Sequence, residues 1–280
     1  MCFSQPASAG FAVMGIATGV WLRSRGHPFR RYQIFLWFAL MEIIQTAAYS
    51  VVDQCDNPVN IALTAAAYLH VMFQNVPVNL YFLSPENGVH PDVLKLVLWM
   101  ASLGGAMGFL VKLPWPVWLG ASPHMLDRLA ATLPEFFSFT QAGTEAACRF
   151  ETMCGPRVCT ISTPRHIAWM MPILPPSYFL PSGFLHFFFF FFPTVIMVKR
   201  PAARLAMFAA LLTGPLLTQW LAAHDPATYK YEWPATWCYA SIAQCTVALV
   251  LELMWPAAGS KASAARGRAN GAKANGVKHA

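Results

Sequence analysis

The chain has 280 residues, of which 56% are hydrophobic and only 11% are charged. Soluble domains carry about 25% charged residues, and the mean hydropathy of this chain is +0.45. These values exclude a disordered chain, a collagen, a nucleic-acid-binding module and a typical soluble enzyme. They leave a multi-pass integral membrane protein, whose main partner is the lipid bilayer.

Apolar stretches of roughly 20 residues, the length that crosses a bilayer core, recur along the sequence. They predict an all-α membrane protein with about seven transmembrane helices, over residues 8–22, 33–52, 60–83, 93–113, 177–198, 203–222 and 234–254. The first stretch does not resemble a signal peptide, because signal peptides have basic residues before the apolar run. Here no Lys or Arg precedes it, and four follow it: Arg23, Arg25, Arg30 and Arg31.

The basic residues of the loops predict the orientation, because Lys and Arg are enriched on the cytoplasmic side of membrane proteins. They follow the first, fifth and seventh predicted spans, and an odd number of spans places all three regions on one face. The sequence therefore predicts an N-terminus outside and a C-terminus in the cytoplasm. The later members of the basic set are Lys199, Arg200, Arg204, Lys261, Arg266, Arg268, Lys273 and Lys278.

The predicted organisation is one transmembrane domain, residues 1–256, followed by a tail, residues 257–280. The domain includes an outer cysteine-containing loop (114–165) and a proline-rich re-entrant or cap segment (166–181), since clustered prolines do not form a regular helix. The tail is basic and has little to bury, so we expect disorder. We interpret it mainly as a solvated tail, with binding to anionic lipid as the alternative.

Four of the seven cysteines fall in the predicted outer loops: Cys55, Cys148, Cys154 and Cys159. This clustering favours disulfides in an oxidising compartment. Four cysteines allow three pairings, and the sequence does not choose among them. A zinc site is the rival interpretation, but the spacing lacks the Cys-x-x-Cys pair of a zinc ribbon.

Polar side chains in the predicted spans fall at similar depths. Glu42 and His70 each lie about 13 residues, or roughly 19 Å of helix, from the turn that joins the second and third spans. His186 lies at a similar distance from Lys199, beyond the fifth span. Ionisable groups inside a membrane are expensive and are functional candidates. We therefore expect a carboxylate and two histidines to meet near the middle of the bilayer.

Two histidines and a carboxylate are a typical ligand set for zinc or for non-haem iron. On this interpretation Glu42, His70 and His186 bind one zinc, iron or copper ion. Gln45, one turn from Glu42, and Gln74, one turn from His70, would support catalysis with Glu42. The alternatives are a buried polar network that only joins helices and a translocation path.

Three further residues are predicted at the outer mouth of the helix bundle: His166, Trp169 and Glu232. His166 and Trp169 belong to the proline-rich segment, where they could cover the central cluster. Anchoring at the membrane interface is the simpler interpretation, because Trp is typical of that depth.

Several stretches together resemble an uncharacterised family of multi-pass membrane proteins whose members begin Met-Cys-(Phe/Trp)-Ser. They are the start Met1–Ser4, Met41–Cys55, Tyr68–Gln74, Cys154–Thr160, His166–Trp169 and Phe184–Pro193. The chain departs from the pattern at Ile161–Thr163, where relatives have Tyr-His-Gly. The resemblance implies a membrane protein and supports the choice of residues, but it implies no reaction.

The favoured hypothesis is an intramembrane metal-dependent enzyme acting on a small or lipophilic substrate. The alternatives are a transporter or channel that uses the same buried Glu/His cluster, and a seven-helix sensor. The sequence identifies neither the membrane nor the oligomeric state.

Overall fold

The computed structural model describes residues 4–112, 157–163, 166–171 and 182–212, together with residues 245–246, 249–250 and 253. These regions are mostly helical. The helices are α1 (Gln5–Ser24), α2 (Phe29–Ala48), α3 (Pro58–Phe73), α4 (Asn75–Phe82), α5 (Pro91–Lys112), α6 (Ser182–Met197) and α7 (Pro201–Leu211). Two short strands, β1 (Cys159–Ser162) and β2 (Ile167–Met170), form an antiparallel pair.

Within the described regions, three segments are long and apolar enough to cross a bilayer, judged by length and composition: Phe29–Val51, Pro58–Phe82 and Pro91–Leu110. They coincide with the second, third and fourth predicted spans. Helix α1 forms at the first predicted span and has 20 residues, but its Gly, Ser and Thr residues dilute its apolar character. The seven-span count and the orientation remain predictions.

Small residues determine how α1 packs against α2. A β carbon on Gly19 would lie 2.6 Å from the Leu36 side chain, and one on Gly15 would lie 2.9 Å from the Ala39 β carbon. These distances are shorter than carbon atoms allow, so only glycine permits this approach. Close packing through small residues is typical of membrane helices. The chain turns between the two helices at Gly26, where φ is +79°, a conformation that glycine adopts readily.

The third predicted span is a helix with a break rather than one regular helix. Helix α3 ends at Phe73, and α4 begins at Asn75. Pro77 explains the break, because proline has no N–H and its ring clashes with the carbonyl four residues earlier. That carbonyl belongs to Phe73, the last residue of α3.

Two buried apolar clusters lie on either side of this break. The first joins α2, α4, α6 and α7, and includes Leu22, Ile34, Phe35, Val78, Phe82, Phe190, Phe191 and Met207. The second joins α2 and α3 to the strands, and includes Met41, Tyr68, Met72, Ile167, Trp169 and Met171. The α3–α4 break lies between them along the chain.

The β-hairpin differs from the sequence prediction of an outer loop (114–165) followed by a proline-rich cap (166–181). Residue pairs run from Cys159–Met170 to Ser162–Ile167, so the hairpin crosses the predicted boundary. Alternation of apolar and polar residues over only four positions per strand is too short a signal to predict a strand within a membrane protein. The all-α class therefore holds for the spans but not for this hairpin.

Candidate functional site

The most polar buried region of the described structure lies where α4 meets α6. Helix α6 contains Pro193, which cannot donate a hydrogen bond to the carbonyl of Phe189, four residues earlier. The side chain of Asn79 supplies the missing donor: its Nδ2 lies 2.7 Å from that carbonyl oxygen and 2.8 Å from the carbonyl oxygen of Asn75. Asn79 thus joins the proline-interrupted part of α6 to α4.

His186 lies between two amide side chains from the α3–α4 break. Gln74 Nε2 is 2.7 Å from His186 Nε2, and Asn75 Nδ2 is 3.3 Å from His186 Nδ1. A neutral imidazole has one N–H and one acceptor nitrogen. One of the two amides must therefore present its oxygen to the ring, since amide orientation follows from the hydrogen-bond network. His186, Gln74, Asn75 and Asn79 are all buried, and we call these four residues the amide–histidine cluster.

Helix α5 closes over the break through two glycines that the sequence had presented as a weakness of the fourth span. A β carbon on Gly105 would lie 2.7 Å from the carbonyl oxygen of Met72, in the last turn of α3. One on Gly104 would lie 3.3 Å from the ring of Phe189. The backbone of α5 therefore lies against both interrupted helices, which shields the cluster from that side.

A second helix also contacts the break directly. Gln33, on α2, is buried and donates from Nε2 to the carbonyl oxygen of Pro77 at 2.8 Å. Three helices, α2, α5 and α6, thus contact the irregular backbone around Pro77 through a side-chain amide, a glycine contact and a histidine.

His70 lies apart from His186. Its Nε2 donates to the carbonyl oxygen of Trp37 at 2.7 Å, and its ring stacks on the indole of Trp37 with centroids 4.4 Å apart. The Nδ1 atom is buried and has no hydrogen-bond partner in the part of the chain that the structure describes. His70 therefore joins α3 to α2.

Glu42 and Gln45 are buried, as expected for functional candidates, with exposed fractions of 6% and 0%. Glu42 lies five residues beyond Trp37, or about 140° around the helix axis. Since Trp37 faces His70, Glu42 faces a different side of α2. Both residues have further contacts in the fold.

The predicted metal ligands are all present in the described regions, but they do not converge. Among the described residues, no three His, Cys, Asp or Glu side chains lie close enough to hold one metal ion. His186 is held by amides, His70 by a backbone carbonyl, and Glu42 lies on another face of α2. The reason is the break at Gln74, which turns His70 and Gln74 towards different helices.

The prediction of an outer disulfide is confirmed for one pair. Cys55, in the turn after α2, is bonded to Cys159 in β1, and the two Cα atoms are 5.0 Å apart. Cys148, Cys154 and Glu232 lie outside the described residues.

The hairpin is fixed to the α2–α3 turn by more than the disulfide. Asn60 donates to the carbonyl oxygens of Val51 and Thr160, at 2.6 and 3.0 Å, and accepts from Thr160 N at 2.8 Å. Thr64 and Thr160 share a hydrogen bond of 2.7 Å between their hydroxyls. Asp53 accepts from the backbone and the hydroxyl of Ser162. We call this assembly of Cys55, Asn60, Thr64 and the hairpin the outer cap.

His166 and Trp169, predicted at the outer mouth, belong to the outer cap. Trp169 is 1% exposed and packs in the second apolar cluster. His166 is 8% exposed, and its carbonyl accepts from Thr163 N in the hairpin turn. Neither is near the amide–histidine cluster through any contact that the described residues make, so these contacts support a structural role.

The comparisons with known proteins place the chain in a family. Residues 6–255 match DUF5765, a family of unknown function. The chain belongs to DUF5765. Neither a curated protein nor a solved structure matches it significantly. Membership in DUF5765 agrees with the resemblance to an uncharacterised family, but the match begins after Met1–Ser4 and carries no information on topology.

Sequence reasoning about this DUF5765 chain missed Asn75, Asn79 and Gln33. The two asparagines lie one helical turn apart on either side of Pro77, within an apolar stretch, and this pattern was visible in the sequence. Buried amides beside a proline can replace hydrogen bonds that the proline removes. Gln33 carried no such signal, because it lies near the end of its span.

Proposed function

We propose that this chain is a transporter or channel for small polar solutes, and that the amide–histidine cluster is its solute site. The observation that carries this proposal is the meeting of two proline-interrupted helices at one buried polar cluster. Polar sites in transporters are commonly built where membrane helices are discontinuous. Irregular backbone at membrane depth is tolerated where it is buried in protein or lines a cavity.

The metal-dependent enzyme has less support, because the described residues offer no group of three ligands. The amides that replace such a group, Gln74, Asn75 and Asn79, bind polar solutes through hydrogen bonds. Such side chains near the middle of a membrane helix are typical of solute and ion pathways.

We also propose the seven-span arrangement with the N-terminus outside. The disulfide between Cys55 and Cys159 supports an oxidising environment at the α2–α3 turn. The opposite ends of the helices carry basic residues. There, Lys199 N donates to the carbonyl oxygen of Asn87, so the start of α7 and the turn before α5 lie at the same end as the start of α2. This distribution of basic residues agrees with a cytoplasmic inner face.

The orientation can be tested with terminal epitope tags in intact and permeabilised cells. The proposal requires an N-terminal tag that antibodies reach in intact cells and a C-terminal tag that they reach only after permeabilisation. The reverse pattern would contradict the orientation while leaving the solute site untouched.

Transport can be tested with purified protein in liposomes, by light scattering after an osmotic step with urea, glycerol or guanidinium chloride. We expect at least one solute to enter faster than into protein-free liposomes. His186→Phe should reduce this rate by about tenfold, equivalent to about 1.4 kcal/mol, because Phe keeps the ring and removes both nitrogens. Thr194→Val serves as the control, since it alters a buried hydroxyl elsewhere on α6.

Equal entry of every solute into protein-containing and protein-free liposomes would overturn the transport proposal. The protein must elute as a single species and retain its disulfide, so that misfolding does not explain the result. His186→Gln, which restores polar capacity, should recover part of the rate if hydrogen bonding is the essential property.

A further inference from the structure

The orientation of the Asn79 amide is determined by its surroundings. Its nitrogen lies within hydrogen-bond distance of two carbonyl oxygens, those of Asn75 and Phe189. Carbonyl oxygens only accept hydrogen bonds, so the NH₂ group must face them. Both amide hydrogens are therefore in use, and the remaining polar atom, Oδ1, is an acceptor.

This acceptor has no donor. Asn79 is 0% exposed, and its Oδ1 atom has no hydrogen-bond partner in the described structure. A buried polar atom left in this state costs about 1–3 kcal/mol, and inside a membrane no bulk water can reduce that cost. A built-in acceptor without a donor, at a site where two helices are interrupted, is the arrangement expected of a ligand site.

Asn75 adds a second unmatched oxygen one turn away. Its Oδ1 atom is also buried without a partner when its Nδ2 faces His186. If the Asn75 amide is reversed, its oxygen accepts from His186 Nδ1, and its NH₂ group takes the unmatched position instead. Asn79 Oδ1 lacks a donor in both arrangements, so the surplus at the site always includes an acceptor.

We propose that the amide–histidine cluster binds a small organic group through its N–H donors, with Asn79 Oδ1 as the accepting atom. This inference rests on the proposed transport function and names the class of its substrate. N–H donors occur on neutral amides and on planar cations, and the shared chemistry is the donor itself. A group without N–H donors would leave Asn79 Oδ1 unsatisfied and should bind weakly.

The test compares probes on the unaltered protein, by thermal unfolding in detergent at constant ionic strength and millimolar probe concentrations. Guanidinium is a cation with N–H donors, tetramethylammonium is a cation without them, and urea is a neutral donor. We expect saturable stabilisation by guanidinium, urea or both, and none by tetramethylammonium. Stabilisation by urea indicates a neutral substrate, and stabilisation by guanidinium alone indicates a cationic one.

The variant Asn79→Leu should weaken probe binding by at least about tenfold, while Thr194→Val should leave it unchanged. Because Asn79→Leu also removes a helix contact, the probe comparison on the unaltered protein stands independently of whether the variant folds. Equal stabilisation by tetramethylammonium, saturable stabilisation by no probe, or full binding by a folded Asn79→Leu protein would each overturn the inference.

The two proposals fail in different ways. Donor-selective binding without flux of any solute would remove transport and keep the site. Flux without donor selectivity would keep transport and remove the assignment of Asn79.

Discussion

The outer cap and the amide–histidine cluster use the same kinds of side chain in opposite ways. In the outer cap, both polar atoms of Asn60 are paired and a disulfide adds a covalent link. In the cluster, Asn79 uses its donors on two carbonyls and leaves its acceptor unpaired. A fully paired network specifies one structure, whereas an unpaired acceptor has capacity for a ligand. The comparison therefore separates a structural region from a binding region.

The largest effect should come from the outer cap. Asn60→Leu would leave the carbonyls of Val51 and Thr160 and the N–H of Thr160 without partners, at a total cost of about 3–5 kcal/mol. We expect a lower unfolding temperature in detergent. Ser50→Ala, which removes an exposed hydroxyl that bonds only the local Ala47 carbonyl, should have little effect. A small loss in Asn60→Leu would mean that the cap does not stabilise the bundle.

Removal of the disulfide should come next. Cys55→Ser opens a link between residues separated by 104 positions, and such links typically contribute about 2–4 kcal/mol. Stability should fall, but binding of guanidinium or urea should keep the same affinity, because no described contact joins the cap to the cluster. A parallel loss of probe affinity would show that the two regions are coupled.

Helix α5 offers an intermediate test with a matched glycine. Gly105→Ala places a β carbon against the Met72 carbonyl, and such overpacking costs about 1–3 kcal/mol. Gly10→Ala, on α1, meets nothing within 4 Å and should be neutral or stabilising by about 0.5–1 kcal/mol. Thermal unfolding of both variants measures the difference. Equal stability would contradict the close approach of α5 to α3.

The smallest effect should be that of His70→Phe. The variant keeps the stack on Trp37 and loses one hydrogen bond, which contributes about 0.5–1.5 kcal/mol. Solute entry into liposomes should be unchanged, in contrast to His186→Phe. A shared metal centre predicts instead that both variants lose bound zinc, iron or copper, which elemental mass spectrometry would detect.

Much of the helical framework was predictable because membrane spans have a strong local signal. The segments around residues 33–52, 60–83 and 93–113 were predicted as spans, and the structure has long apolar helices there. The burial of Glu42, Gln45, His70, Gln74 and His186 also follows from their positions within apolar stretches. The outer disulfide was expected, although its pairing was not, because pairing depends on which loops meet in space.

The sequence by itself determined that this is a membrane-type chain, where its early helices form and which polar side chains are buried, since hydropathy and helix length are local properties. Only the tertiary structure decided which of those side chains meet. It joined His186 to Gln74 and Asn75, turned His70 to Trp37 and placed Glu42 on another face. The physical reason is the α3–α4 break at Pro77, which depends on how α2, α5 and α6 satisfy the interrupted backbone.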